Sequence, residues 1–299
     1  MTDPGPAVPV EGSSVAPRLS AATTVVGVIG DPVDHSLSPL LHNTAFAELG
    51  LDWVSVAFPA AAGRTADALD GARSLGIRGL SVTMPHKAEA ARHLTRLSPL
   101  AARLEAVNCV IEEEGQWRGE NTDGPGLLAA LRRRDRFDPA GCRCLVVGAG
   151  GAARAVLAAL ADAGAAEIVV VNRNAGRAAS ALSLVSAVGR VGTPEDAPSC
   201  DLVVNATPVG MAGVGQATGS GPGNWPIDPS LLHAGQVVVD LVYHPAETPW
   251  MLAARAVGVT VSNGLGMLVH QAALQLESWT GLDAPVEAMW RAVGGAGPG

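Results

Sequence analysis

Leu145-Val-Val-Gly148-Ala-Gly150-Gly151-Ala152-Ala153-Arg154 is a branched apolar run that breaks at three glycines and resumes as alanines. The run through Val147 reads as a buried strand, and Ala152–Ala163 as a helix. Between them the glycines fit G-x-G-x-x-A. The spacing permits a tight turn and close backbone approach, and the helix N-terminus offers N–H groups to a pyrophosphate. Glycines alone would be weak evidence; the strand–turn–helix context makes them specific. The stretch predicts a Rossmann-type dinucleotide-binding unit.

The next strand, Glu167–Val171, decides which dinucleotide. A site for NAD places an acid at its end, bonded to the ribose 2′-hydroxyl. Here the strand ends Val171-Asn172-Arg173-Asn174, with Arg177 one turn on. Neutral and cationic groups remove a clash with a 2′-phosphate and give it partners. This predicts NADP. Beyond it, Asp201–Asn205 and Val237–Leu241 read as further strands of the same unit, with helix Pro249–Ala256 and short strand Thr260–Ser262 closing it. Asn205-Ala-Thr207-Pro sits just past a strand end, where open α/β sheets bind ligands. Asn205 is equally suited to a turn.

Upstream, strands at Thr24–Ile29, Trp53–Phe58, Gly79–Thr83 and Val107–Ile111 alternate with helices at Pro39–Leu49, Arg64–Leu75, His86–Leu94 and Gly124–Arg133. That alternation predicts a largely parallel sheet. The last helices, Leu265–Trp279 and Ala284–Val293, carry Gly/Ala faces suited to packing back on this first block. The expected architecture is α/β, with a discontinuous domain (23–123 and 261–299) interrupted by a nucleotide-binding domain (124–260). Residues 1–22 read as a disordered tail rather than a signal peptide, and 211–224 as a Gly-rich mobile loop.

Composition excludes several classes. The chain is 48% apolar yet only 3% aromatic, which favours Ala-rich helices on Val-rich strands. A net charge of −8 and no basic stripe argue against nucleic acid. The longest apolar stretch is interrupted by Arg154, Asp162 and Glu167, so no membrane span is expected. Cys109, Cys142, Cys144 and Cys200 have no metal spacing and no C-x-x-C pair, which predicts free thiols in a reducing cytoplasm and no metal.

Of the 20 basic residues, 19 are arginine and one is lysine, Lys87. A chain that uses arginine wherever a fixed charge suffices keeps lysine where a proton must be given up. Lys87 stands in Val82-Thr83-Met-Pro85-His86-Lys87, at a strand end and helix start. His35-Ser36-Leu37-Ser38-Pro39 follows the first strand. Ser38 before Pro39 suits an N-cap, and two hydroxyls at a helix N-terminus also suit a carboxylate. In Asn121-Thr122-Asp123-Gly124, any of the three polar residues could cap the following helix.

These motifs, with Ala-Val-Asn108 and Asn263-Gly264-Leu-Gly-Met-Leu-Val-His-Gln271, occur in the order found in shikimate dehydrogenases. Over about residues 24–285 the chain resembles that family. The resemblance implies reversible reduction of 3-dehydroshikimate to shikimate by NADPH, in aromatic amino acid biosynthesis. It implies Ser36 and Ser38 on the substrate carboxylate, and Thr83, Lys87, Asn108, Asp123 and Gln271 around the ring hydroxyls, with Tyr243 nearby. Lys87 and Asp123 would be catalytic. Gly148, Ala149, Gly150, Gly151 and Ala152 would cradle the pyrophosphate. Asn172, Arg173, Asn174 and Arg177 would surround the 2′-phosphate, and Leu241 and Gly264 would flank the nicotinamide. Ser81 departs from the asparagine more common in the family.

The alternatives are a quinate/shikimate dehydrogenase using NAD, and a catalytically inactive NADPH-binding regulator. Asn172-Arg173 and the two serines speak against the first, and retention of Lys87 with Asp123 against the second. A methylene-tetrahydrofolate dehydrogenase-like enzyme shares the architecture but has no need of the Ser36/Ser38 pocket. The expected partners are small molecules, in a monomer or homodimer.

Overall fold

The computed structural model describes residues 19–211 and 224–294. Most of the expected N-terminal tail and of the 211–224 segment therefore lies outside the described residues. Two six-stranded sheets account for the strands. The first uses β1 (Thr24–Gly30), β2 (Trp53–Pro59), β3 (Gly79–Val82), β4 (Arg96–Leu97), β5 (Cys109–Glu113) and β6 (Gln116–Glu120), in the order β2-β1-β3-β5-β6-β4. The second uses β7 (Arg143–Val147), β8 (Glu167–Val171), β9 (Gly189–Val191), β10 (Leu202–Asn205), β11 (Val237–Asp240) and β12 (Thr260–Asn263), in the order β12-β11-β10-β7-β8-β9.

The helices of the first part are α1 (Ser38–Glu48), α2 (Thr65–Ser74), α3 (Lys87–His93), α4 (Pro99–Leu104) and α5 (Asp123–Arg133). Then come α6 (Gly151–Asp162), α7 (Ala175–Leu182), α8 (Pro249–Ala256), α9 (Leu265–Thr280) and α10 (Val286–Ala292). Among the described residues no helix is long and apolar enough to cross a membrane.

The second sheet is parallel throughout, and its strands are near-continuous valine, leucine and isoleucine because both faces are buried. The first sheet is mixed rather than largely parallel. β1 pairs in parallel with β2 and β3, but β5 runs antiparallel to β3 and β6. The reversal is a tight hairpin at Glu114-Gly115, both at positive φ (53° and 77°). Its flanks, Glu112–Gln116, are too polar to show strand alternation, which is why β6 escapes a pattern search. The expected domain boundary at 260/261 also needs correction. It would cut β12, which pairs with β11 from Thr260 to Asn263, so the chain leaves the second sheet at Gly264.

After that exit α9 and α10 pack on the first sheet. Val269, Ala272, Leu276, Trp279, Met289 and Trp290 share one apolar cluster with Val26, Phe46 and Ile111. The Trp279 indole N–H donates to the Val110 carbonyl at 3.0 Å. Between the sheets lies α5. A Cβ on Gly126 would stand 2.7 Å from the Gln271 amide nitrogen of α9, and one on Gly124 would stand 2.7 Å from the Ala155 carbonyl oxygen of α6. Glycine at these two positions lets one helix touch both neighbours at backbone distance.

Two outcomes follow from this packing. Gly126→Ala should lower stability by about 1–3 kcal/mol, because backbone on α9 cannot yield as a side chain would. The measurement is the urea midpoint, and an unchanged midpoint would contradict the close approach. The second concerns His42, which is wholly buried, bonded to Ser55 Oγ at 3.1 Å and set edge-on to Trp279. Burial pulls its pKa down to about 3 from 6.5. The unfolded chain therefore takes up a proton that the fold refuses, and stability present above pH 6.5 is lost as pH falls toward 3. In His42→Phe the stability difference between pH 7 and pH 4.5 should shrink by roughly 2 kcal/mol.

Candidate active site

Parallel strands end on the same side of each sheet, and the polar motifs sit at those ends. Past β1 come Ser36 and Ser38, past β3 comes Thr83, and α3 opens with Lys87. Past β11 come Leu241 and Tyr243, while Gly264 and Gln271 arrive on the return segment and α9. All of these, with Asn108, Asp123 and Ala152, line one cleft of about 170 Å³ between the sheets. The same cleft is lined by Ser81, the position that departs from the family's asparagine, and by Val82, Met267 and Leu268, which reading by motif did not single out. Met267 and Leu268 had a findable signal: they lie one helical turn from both Gly264 and Gln271.

The centre is an ion pair. Lys87 Nζ donates to Asp123 Oδ2 at 2.5 Å, with side-chain exposures of 22% and 6%. Asn108 Nδ2 donates to Asp123 Oδ1 at 2.7 Å and to Thr122 Oγ1 at 3.0 Å. Asn108 Oδ1 in turn accepts from the Thr122 N–H at 2.7 Å. Both aspartate oxygens are thereby occupied, and the lysine is held by a carboxylate that is itself held. Thr122 occupies the N-cap of α5 without a side-chain cap bond, and Asn121 just before it accepts the Asp123 N–H on Oδ1 at 3.1 Å.

Ser38 is not the expected cap. It is the first residue of α1 and Leu37 occupies the N-cap without a side-chain bond, while Ser36 Oγ accepts the Ser38 N–H at 3.3 Å. The other Ser-Pro pair shows the contrast, since Ser98 Oγ caps α4 from Ala101 N at 3.2 Å. Burial pushes the Tyr243 phenol above its ordinary pKa, so it enters the cleft as an O–H.

The β7–α6 turn fits a pyrophosphate. Gly148 sits at φ +121°, and a Cβ there would lie 3.0 Å from the Ala206 carbonyl oxygen. At Gly150 and Gly151 a Cβ would meet nothing within 4 Å, which leaves open space before the helix. Gly150 as N-cap has no side-chain acceptor to offer the first N–H groups of α6. Past the end of the neighbouring strand β8, Arg173 in the turn and Arg177 in α7 are exposed. Asn174 is used structurally, capping α7 through the Arg177 N–H at 3.0 Å, and its carbonyl accepts from Asn172 Nδ2 at 2.9 Å. These four lie outside the cleft lined by Lys87 and Asp123. Asn205 is buried beneath it, donating to Asp240 at 2.9 Å and accepting from Thr207.

A model of the shikimate dehydrogenase substrate-binding domain matches residues 28–110, one of shikimate/quinate 5-dehydrogenase matches 131–207, and one of the shikimate 5′-dehydrogenase C-terminal domain matches 264–293. Shikimate dehydrogenase (NADP(+)) of Moorella thermoacetica is 43% identical over 284 residues, covering 92% of this chain and 94% of its own. The protein of the same name from Methanopyrus kandleri is 44% identical, covering 94% and 98%. The crystal structure of shikimate 5-dehydrogenase from Thermus thermophilus with NADP(H) and shikimate has a TM-score of 0.81 at 38% identity, covering 90% of this chain and 98% of that one. Likeness of this extent runs through both sheets and the returning helices alike, and the chain belongs to the shikimate dehydrogenase family.

Proposed function

We propose that the protein is an NADP-dependent dehydrogenase that interconverts 3-dehydroshikimate and shikimate, with Lys87 as the proton donor and acceptor. The observation that carries this is the Lys87–Asp123 pair, 2.5 Å apart, in a cleft shared by the two sheets. The first sheet with α9 and α10 forms the substrate-binding domain, and the second sheet the nucleotide-binding domain.

When bound, NADPH supplies a hydride to the ring carbonyl carbon. As the carbonyl oxygen gains electron density, a Lys87 ammonium proton moves to it; in the reverse direction the neutral amine takes that proton back. Asp123, with both oxygens engaged, orients the ammonium group and steadies its charge. Ser36 and Ser38 donate hydroxyls to the substrate carboxylate. Thr83, Asn108, Tyr243 and Gln271 surround the ring hydroxyls. The chain's overall negative charge gives no general attraction for an anionic substrate, so recognition rests on these local donors. Gly148–Ala152 hold the pyrophosphate, Leu241 and Gly264 flank the nicotinamide, and Asn172, Arg173, Asn174 and Arg177 surround the 2′-phosphate. Four unpaired cysteines support a cytoplasmic location.

The direct test is an absorbance assay at the nicotinamide band that crosses shikimate and quinate with NADP and NAD. Shikimate with NADP should be preferred, and equal use of NAD would refute the cofactor assignment. Arg173→Asp should cut the NADP-over-NAD preference by at least about tenfold, since a charge-assisted bond contributes roughly 1.5–3 kcal/mol. The shikimate KM should stay nearly unchanged.

Lys87→Arg and Lys87→Met should both lower kcat by about 10²–10⁴, the usual contribution of a positioned acid. Guanidinium keeps the charge but does not deprotonate in proteins. Steady-state kinetics, with NADPH binding checked by fluorescence, decides the matter. Wild-type kcat in Lys87→Arg would show that Lys87 is only a charge.

A further inference from the structure

Immediately before Lys87, His86 is wholly buried. Its Nε2 lies 2.8 Å from the Ala60 carbonyl oxygen, which can only accept, so Nε2 carries a proton. Its Nδ1 lies 2.7 Å from Thr65 Oγ1, and that hydroxyl lies 2.5 Å from Glu89 Oε2. Thr65 is also wholly buried and begins α2, while Glu89 stands in the first turn of α3. Three contacts thus tie the β2–α2 connection to the start of α3.

One hydroxyl has one proton, and that restricts the network. With Nε2 protonated and the hydroxyl proton itself used within the network, both Thr65 contacts are hydrogen bonds in two arrangements. In one, Nδ1–H donates to Oγ1, and Oγ1–H donates to ionised Glu89. In the other, Oγ1–H donates to Nδ1, and a protonated Glu89 donates to Oγ1. Both arrangements hold one proton more than a neutral imidazole beside a carboxylate. Without that proton one short contact sets the buried Thr65 oxygen against a second acceptor, either the buried His86 Nδ1 or the half-buried Glu89 carboxylate, which is costly.

The backbone carries this to the cleft. The His86 N–H donates to the Thr83 carbonyl at 3.0 Å, and its own carbonyl accepts from Ala90 at 2.8 Å. His86 is the N-cap residue of α3 and makes no side-chain cap bond, so its ring, together with the Val107 N–H that donates to the Lys87 carbonyl at 2.9 Å, anchors that helix end. Resting on the reading of Lys87 as proton donor, we propose that Thr65, His86 and Glu89 form a one-proton latch that positions Lys87. The latch is closed at low pH and opens as pH rises. The elements that carry it hold other charged groups: the Arg64–Asp67 pair and Arg73 with α2, the Asp70–His93 pair between α2 and α3, Arg92 on α3, and Asp31 in the loop whose backbone bonds Met84. On the cleft side stands the Lys87–Asp123 pair.

The test combines kinetics from pH 6 to 9.5 with NMR titration of the His86 ring in the ligand-free full-length protein. Thr65→Ser keeps the hydroxyl and should retain wild-type kcat. Thr65→Val should lower kcat by about tenfold with less than about a twofold change in KM, as expected for a misplaced proton donor. In Glu89→Gln the amide can donate to Oγ1 while Oγ1–H donates to a neutral ring, so no extra proton is needed. This variant should match the wild type near pH 6.5 and exceed it several-fold near pH 9. Its His86 ring resonances should follow a different pH course from the wild type's, because no proton need be held between the two side chains. His93→Gln should leave the profile unchanged. The latch is overturned if Thr65→Val keeps wild-type kcat, if Thr65→Ser is as impaired as valine, or if the His86 resonances follow the same pH course in Glu89→Gln as in the wild type. The NMR arm stands apart from the proposed function, because it reports the latch even if the wild type fails to oxidise shikimate.

Discussion

Helix α5 touches two neighbours at backbone distance, and the rest of the architecture is arranged around that contact. Gly126 brings it against Gln271 on α9, and Gly124 brings it against Ala155 on α6. Its next face, Leu127 and Leu131, enters the apolar cluster of the second sheet. Its first residue is Asp123, which holds Lys87 at the start of α3, the helix that follows β3 of the first sheet. One helix therefore joins both sheets mechanically and places a charge between them. A Cβ at either glycine would separate elements that must meet within hydrogen-bond distance for the cleft to exist.

Taking two charges out of water is unfavourable unless each keeps hydrogen-bond partners. Asp123 meets this condition through Lys87 and Asn108, and Asn108 is secured in turn by Thr122 and by Gln275 Nε2, which donates to its carbonyl at 2.9 Å. The pair is consequently anchored on three separate elements. A similar economy appears at Asp240, buried beneath the second sheet's strand ends. Desolvation raises its pKa to about 6, while Val242, Thr248 and Asn205 donate to it. That network fixes the loops after β10 and β11, one of which carries Leu241 and Tyr243.

Motifs were legible wherever chemistry demands a local pattern. The glycine turn after β7, the absence of an acid after β8 and the solitary lysine each stand out in a chain of otherwise ordinary Ala, Val and Leu. Less legible was anything decided by partners distant in sequence. Ser38 has the sequence of a cap but sits inside the helix as its first residue, with its own N–H accepted by Ser36 Oγ. Strand β6 is too polar to show alternation, and only its pairing with β5 and β4 reveals it. His86 and Glu89 look like ordinary residues of a helix start. Their significance appears only when Thr65, from the preceding helix, is brought between them.

Periodicity, the placement of glycines and the choice of arginine over lysine determined by themselves that this is an α/β chain with a dinucleotide turn and one candidate proton donor. Those features are local: they reflect backbone conformation, side-chain branching and intrinsic acidity, which a residue carries wherever the chain goes. Tertiary structure alone decided the antiparallel half of the first sheet, the exit of the chain at Gly264 rather than 261, and the meeting of Lys87 with Asp123. Those depend on which surfaces are buried together, and burial is a property of the whole fold, because only there does an unpaired polar group or a misplaced methyl become costly.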